Sequence, residues 1–263
     1  MALYEPFLFF TVGRTYKDNF FIYELPTIKK IMSTKEHPPI IGIEIMDTVI
    51  ALIDNKNYLK LLDIREKKHQ TIGQLPGRPL FPMIKRNNLL IANTENGYIL
   101  YIDIFQRKFH IAGTLATFFQ LPLQAVDDNF YAINGNGVFY QWTLENIENP
   151  ICDSLPHPAR QIIQLNSREA LLLLNNNQII QKNTQGARAI YQGKSEIVGV
   201  QTIDSVRLLI TYLDGSLEIF NRTEGRVKWS VRLKGMIHAM PTRHGNEWYV
   251  GTSHRWLYCF RQE

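Results

Sequence analysis

Residues 208–229 open with Leu208-Leu209-Ile210-Thr211-Tyr212, turn at Asp214-Gly215, and continue Ser216-Leu217-Glu218-Ile219-Phe220 before reaching Trp229. A largely apolar run meets a short polar turn, and the chain resumes with apolar residues at alternate positions. Runs of this length and composition, bounded by Gly and Asn, read as strands buried on both faces. Gly215 supplies the positive φ that a tight hairpin turn requires. The stretch is therefore a β-hairpin.

Working outward in both directions, the same pattern recurs seven times. Anchored on one turn residue, the series runs Asp18, Asn57, Gly97, Gly137, Asn177, Gly215 and Arg255, with spacings of 39, 40, 40, 40, 38 and 40 residues. Six anchors are Gly, Asn or Asp, which tolerate positive φ, and Arg255 departs. Two positions after each anchor stands a large apolar residue: Phe20, Leu59, Ile99, Phe139, Ile179, Leu217 and Leu257. The second repeat shows four strand-like segments, 40–45, 49–53, 58–63 and 69–75. A period near 40 with four strands is one propeller blade. The expected fold is all-β: a seven-bladed β-propeller with four-stranded antiparallel blades, one domain over residues 1–263. The blades fall approximately at 1–38, 39–76, 77–117, 118–157, 158–193, 194–233 and 234–263. The last repeat stops eight residues past its anchor and lacks an outer strand. Residues 2–6 are expected to supply it, closing the ring by pairing N- and C-terminal strands and leaving no free edge.

Composition agrees with a folded core, with 45% hydrophobic and 20% charged residues. The net charge of +5 is a statement about association and leaves the fold open. Two cysteines, Cys152 and Cys259, without a CxxC pair, argue against a disulfide framework, a cysteine zinc site and a c-type haem, and are expected to be buried, inert thiols. The N-terminus shows no basic segment followed by a long apolar run, and no stretch reaches the roughly 18 apolar residues of a spanning helix. The expected location is the cytoplasm, with a trimmed periplasmic form as the alternative.

Asp214-Gly215-Ser216-Leu217-Glu218-Ile219-Phe220 followed by Gly225-Arg226-Val227-Lys228-Trp229 resembles the blade motif of pyrroloquinoline-quinone-type, quinoprotein-like propellers, with Glu224 where that motif has threonine. The WD-repeat propellers are the sister possibility, although no blade carries a Gly-His and Trp-Asp pair. The resemblance to the signature covers one blade, and the architecture extends to all seven. Quinone-dependent dehydrogenases of this superfamily are much larger and hold their cofactor with a calcium site and a tryptophan platform, neither of which these residues mark. Small members are similar in size to this chain and act as assembly or interaction platforms, so the resemblance implies a non-catalytic scaffold without a cofactor.

The residues themselves argue the same way. No two of the seven histidines lie at i,i+2 or i,i+4, so no single element offers two metal ligands. His238, in residues 236–240 read as the innermost strand of the last blade, is expected to be a hydrogen-bonded structural residue. Glu44 is a lone carboxylate in a first strand and does not make an acid/base pair. Asp127-Asp128 reads as a solvated turn, and Gly135-Asn136-Gly137 as a hairpin with no following helix to bind phosphate.

The turns joining first to second and third to fourth strands emerge on one rim. There the second and third blades gather Arg65, Lys67, Lys68, Lys85, Arg86, Arg107 and Lys108, against Glu66 alone. The fourth blade presents Asp127, Asp128, Glu145 and Glu148, and a second basic group comprises Arg222, Arg226, Arg243 and His244. Such a rim suits charge-guided docking of another protein with an acidic surface or peptide. Nucleic acid or anionic lipid is the alternative, and a small-molecule site in the central channel the second. On the opposite rim, Lys35-Glu36-His37-Pro38-Pro39, Leu75-Pro76-Gly77-Arg78-Pro79 and Leu155-Pro156-His157-Pro158 form stiff connections and a rival surface.

Overall fold

The turn anchors behave as a set. In the computed structural model, which describes residues 2–4, 7–11, 20–24, 27, 29–34, 40–115, 118–166 and 168–261, Asn57, Gly97, Gly137, Asn177, Gly215 and Arg255 all have positive φ, from 62° to 93°. Each donates its N–H to the carbonyl three residues earlier: Asp54, Thr94, Asn134, Leu174, Tyr212 and Thr252. Arg255 thus takes the left-handed conformation although its side chain disfavours it. Asp18 lies outside the described residues, as do residues 35–39 of the rival rim.

Among the described residues every regular element is a strand. The first sheet orders β1 (Ala2–Tyr4), β2 (Phe7–Thr11), β3 (Phe20–Glu24) and β4 (Lys29–Thr34). The second comprises β5 (Ile40–Met46), β6 (Val49–Asp54), β7 (Tyr58–Asp63) and β8 (Lys68–Gln74), within a residue or so of the four segments read from sequence. The third holds β9 (Ile84–Arg86), β10 (Leu89–Asn93), β11 (Tyr98–Asp103) and β12 (Lys108–Thr114). The fourth holds β13 (Gln124–Val126), β14 (Asn129–Ile133), β15 (Val138–Thr143) and β16 (Ile151–Ser154). Then follow β17 (Ala159–Leu165), β18 (Glu169–Leu174), β19 (Gln178–Asn183) and β20 (Gly186–Gln192) in the fifth. The sixth has β21 (Ile197–Thr202), β22 (Arg207–Tyr212), β23 (Ser216–Asn221) and β24 (Arg226–Arg232). The seventh has three strands, β25 (Thr242–His244), β26 (Glu247–Gly251) and β27 (Leu257–Arg261). Strand order follows chain order in every sheet, and every described ladder is antiparallel.

Two compact units are distinguished. One comprises Met1–Gln124, Phe130–Ala132 and Gln141–Pro150; the other Ala125–Asn129, Ile133–Tyr140 and Ile151–Glu263. In the first, Ile50, Leu52, Leu62 and Ile22 form one core cluster, and Ile53, Leu59, Leu90 and Leu100 belong to another. In the second, Leu171, Ile179, Leu208 and Ile210 pack together, as do Leu217, Ile237, Trp248 and Val250. Each fully buried side chain contributes about 1.5–3 kcal/mol, against about 1–2 kcal/mol to order a residue's backbone. Second and third strands, buried on both faces, therefore carry the stability. Outer strands such as β8 and β12, mostly exposed, depend on the ladder.

Polar side chains tie consecutive sheets together. Glu44 on β5 accepts the Met83 N–H, and Asn93 on β10 bonds both the Leu121 carbonyl and the Leu123 amide. Gln161 on β17 pairs with the Val200 backbone in both directions. A second periodic device closes the outer turns: Asp63, Asp103, Asn183 and Asn221, each six residues past its anchor, accept backbone N–H groups two or three residues on.

Three expectations are corrected. Ala2–Tyr4 pairs with Phe7–Thr11 in the first sheet, Tyr4 opposite Phe7, and among the described residues no ladder joins it to the last sheet; a partner three residues away costs the least loop-closure entropy. The innermost strand of the seventh sheet is Thr242–His244, whereas residues 236–240 are irregular and His238 is exposed. Pro241, which has no N–H, delays the strand, and Met240 fills the space above Gly199, within 2.5 Å of where a Cβ would stand. Cys152 and Cys259 are exposed and outside any disulfide, and they lie on β16 and β27, the last strands of the fourth and seventh sheets.

Candidate partner-binding surface

The seven basic residues of the second and third sheets fall on or beside three turns of the first unit. Arg65 and Lys67 lie in the β7–β8 turn, capped by the Asp63 carboxylate through the Arg65 and Glu66 amides, and Lys68 begins β8. Lys85 and Arg86 end β9. Arg107 closes the β11–β12 turn, and Lys108 begins β12. Lys67 and Arg107 are equivalent, ten residues past their anchors, and both adopt left-handed φ, 54° and 52°.

The structure divides this group. Lys85 Nζ lies 2.8 Å from Glu44 Oε1, whose side chain is 10% exposed. A carboxylate that far out of water requires a counter-ion, so this lysine holds the second sheet to the third. The Arg86 guanidinium stands 5.9 Å from the centre of the Phe130 ring. Arg107 makes loose contacts to Glu66 at 3.8 Å and Gln70 at 3.4 Å, both exposed and therefore weak. Arg65, Lys67, Lys68 and Lys108 are exposed and carry no ion pair among the described residues. Arg65, Lys67, Lys68, Arg107 and Lys108 thus face solvent without a buried partner, whereas Lys85, also exposed, is paired with the buried Glu44, and Arg86 lies beside Phe130.

Three residues of the second basic group have partners within the fold. Arg222 pairs with Glu169 and donates to the Ser205 carbonyl at 2.7 Å. Arg226 pairs with Glu224. Arg243 donates to the Ile203 and Gly245 carbonyls and lies 5.2 Å over the Trp248 ring.

A constellation the sequence did not announce joins the fifth and sixth sheets. Glu218, 2% exposed, accepts hydrogen bonds from Tyr191, Tyr212 and Lys194. Burial raises its pKa, but the bonds from Lys194, Tyr191 and Tyr212 outweigh that and hold the carboxyl below its usual range. Burial, then the bond to Glu218, pushes Tyr191 up to about 12. Burial and the neighbouring Tyr191 raise Tyr212. A neutral phenol pair around an ionised carboxylate is a satisfied buried network, well suited to locking two sheets in register. The alternation Ser216-Leu217-Glu218 contained its only signal, an acid amid apolar positions.

No family model matches the chain, and no curated protein matches it. Solved structures do. BamB from Moraxella catarrhalis aligns with a TM-score of 0.68 at 14% identity, covering 93% of this chain and 76% of that one. The computationally designed Ika8 protein aligns at 0.60 and 9% identity, covering 99% and 95%. BBS1N, solved in complex with ARL6DN, aligns at 0.60 and 12% identity, covering 91% and 82%. At these identities the likeness shows the fold alone. The fold is an all-β, seven-bladed β-propeller.

Proposed function

We propose that this chain is a non-catalytic interaction scaffold, a propeller subunit of a larger assembly that captures a protein partner through the basic turns of its second and third blades. The observation that carries this reading is the set of five solvent-facing charges, Arg65, Lys67, Lys68, Arg107 and Lys108, on short turns capped by Asp63 and Asp103. Capped turns lose little entropy on binding, so charge complementarity with an acidic surface or peptide acts with a small ordering cost. The blade signature from Asp214 to Trp229 supports a place among quinoprotein-like propellers acting as platforms. That BBS1N was solved with a bound partner supports the same use of the fold.

The test is affinity capture from the native cell at moderate and then high salt, with a variant carrying Lys67→Gly, Lys68→Gln, Arg107→Gly and Lys108→Gln beside the parent. A stoichiometric protein retained by the parent and lost by the variant is the expected result. Nucleic acid or lipid that elutes steeply with salt would replace the reading with electrostatic polyanion binding. Equal capture by parent and variant would remove this surface.

A further inference from the structure

Six sheets have four strands and the seventh has three, so the outer edge of β27 (Leu257–Arg261) carries no ladder among the described residues. Thr252 donates its N–H to the Trp256 carbonyl, facing β26. By antiparallel alternation the backbone groups of Leu257, Cys259 and Arg261 point to the open side. An exposed edge of this kind is a template for another strand.

The other sheets show what a fourth strand does at this place. The anchor carbonyl accepts an N–H from the chain that follows the fourth strand: Asn57 from Leu75, Gly97 from Leu115, Gly137 from Leu155 and Gly215 from Leu233, at 2.7–2.9 Å. These four donors are buried leucines, each eighteen residues past its anchor, whereas on the fifth sheet Asn177 accepts from Gly193, sixteen residues on. The corresponding carbonyl on the seventh sheet belongs to Arg255 and has no such donor among the described residues. Six residues before two of these leucines stand Phe109 and Val227, apolar residues packed against the cores beside them. The Phe109 ring lies against Gly73 of the preceding sheet, 3.1 Å from where a Cβ would stand.

Between the sixth and seventh sheets no such filling is present among the described residues. A cleft of about 460 Å³ opens there, lined by Leu217, Ile219, Trp229, Trp248, Val250 and Phe260. Trp229 is 38% exposed and rests edge-on against Phe260, their ring centres 5.7 Å apart. Around it the charge is positive. Arg226 and Lys228 share Glu224, and Arg261 pairs with Glu247, whereas Arg232, Lys234 and Arg255 carry no ion pair among the described residues.

We propose that this edge and cleft bind an extended segment of a partner protein, which adds as the fourth strand of the seventh blade antiparallel to β27. The segment has an aromatic or aliphatic residue in the cleft, a leucine six residues later whose N–H meets the Arg255 carbonyl, and acidic residues at its exposed positions. Main-chain bonds supply affinity and the two apolar anchors supply selectivity. This site goes beyond the basic turns, and the two stand or fall separately.

The probe is a fluorescein-labelled eight-residue peptide patterned on residues 108–115, with its lysine and histidine replaced by glutamate. Fluorescence anisotropy with the whole chain is expected to show saturable binding. N-methylation of the peptide's leucine, which leaves the protein untouched, is expected to weaken it at least tenfold. Trp229→Ala and Cys259→Pro are expected to do the same, the latter because that N–H points away from β26. The variant used for the basic turns should bind the peptide as the parent does. No saturable binding, or equal binding of the N-methylated peptide, would overturn the proposal. So would binding that requires removal of residues 1–6, since the chain's own segment would then be the occupant. A chain dimer that the peptide dissociates would assign the edge to a second copy instead.

Discussion

Glu44 Oε1 and Lys85 Nζ lie 2.8 Å apart, joining the second and third sheets through a carboxylate almost removed from water. The same carboxylate accepts the Met83 N–H at 3.1 Å, so the acid fixes both the charge and the backbone of the neighbouring first strand. Removing the lysine leaves that charge without its counter-ion. Lys85→Gln is therefore expected to cost about 1–3 kcal/mol, reduced from the fully buried case because Lys85 is 32% exposed. Lys108→Gln, fully on the surface, should stay within about 0.5 kcal/mol. Urea midpoints of the two variants decide it, and equal values would show that the pair contributes nothing.

Lys67 and Arg107 occupy left-handed backbone at φ 54° and 52°. Glycine there relieves strain of about 1–2 kcal/mol, offset by about 0.4–1 kcal/mol from a freer unfolded chain. Lys67→Gly and Arg107→Gly should therefore keep or slightly raise stability while deleting two charges. A fall in thermal midpoint for either variant would mean that its side chain, and not the turn, holds the structure.

Two glycines with positive φ should respond differently to alanine. At Gly215 a Cβ would stand 2.3 Å from the Gly235 carbonyl oxygen and 2.9 Å from that of Leu233, both backbone atoms that cannot swing aside. At Gly225 nothing lies within 4 Å. Gly225→Ala is expected to cost about 1–2 kcal/mol from conformation alone, and Gly215→Ala about 3 kcal/mol or more. Similar denaturation curves for the two would show that the β24 end relaxes around the added methyl.

Stability should depend on pH at both extremes. Glu218, held down by Lys194, Tyr191 and Tyr212 against the effect of burial, and Glu169, held down by Arg222 and Gln181 against burial, both titrate below their ordinary value of 4.5. Their contribution is present above that value and is lost as pH falls through the lower folded-state values. Tyr191, raised from 10.0 to about 12, contributes fully below pH 10, and that contribution is lost as pH rises through about 12. The urea midpoint should be flat between these limits and fall on either side. Glu218→Gln should make the acid limb shallower, and an unchanged limb would place the acid sensitivity elsewhere.

The sequence by itself determined the repeat. Hairpin turns need residues that accept positive φ, and buried strands need unbroken apolar runs, so a 40-residue period is written locally from Asn57 to Gly215 and specifies sheets of antiparallel strands. Arg255 shows that even the departing anchor follows, because the hydrogen bond to Thr252 and the flanking strands impose the turn. Tertiary structure alone decided which charges serve the fold. Lys85 and Lys108 look alike in sequence, but only the first has a buried acid on a neighbouring sheet within reach, forty-one residues away along the chain. It also decided the ends: residues 2–4 pair with their immediate neighbour, and the outer edge of β27 has no ladder among the described residues. Periodicity fixes what each strand is, since that depends on neighbours in sequence. Which strand lies beside which at the ends, and which cation meets which acid, depends on contacts between residues far apart in the chain.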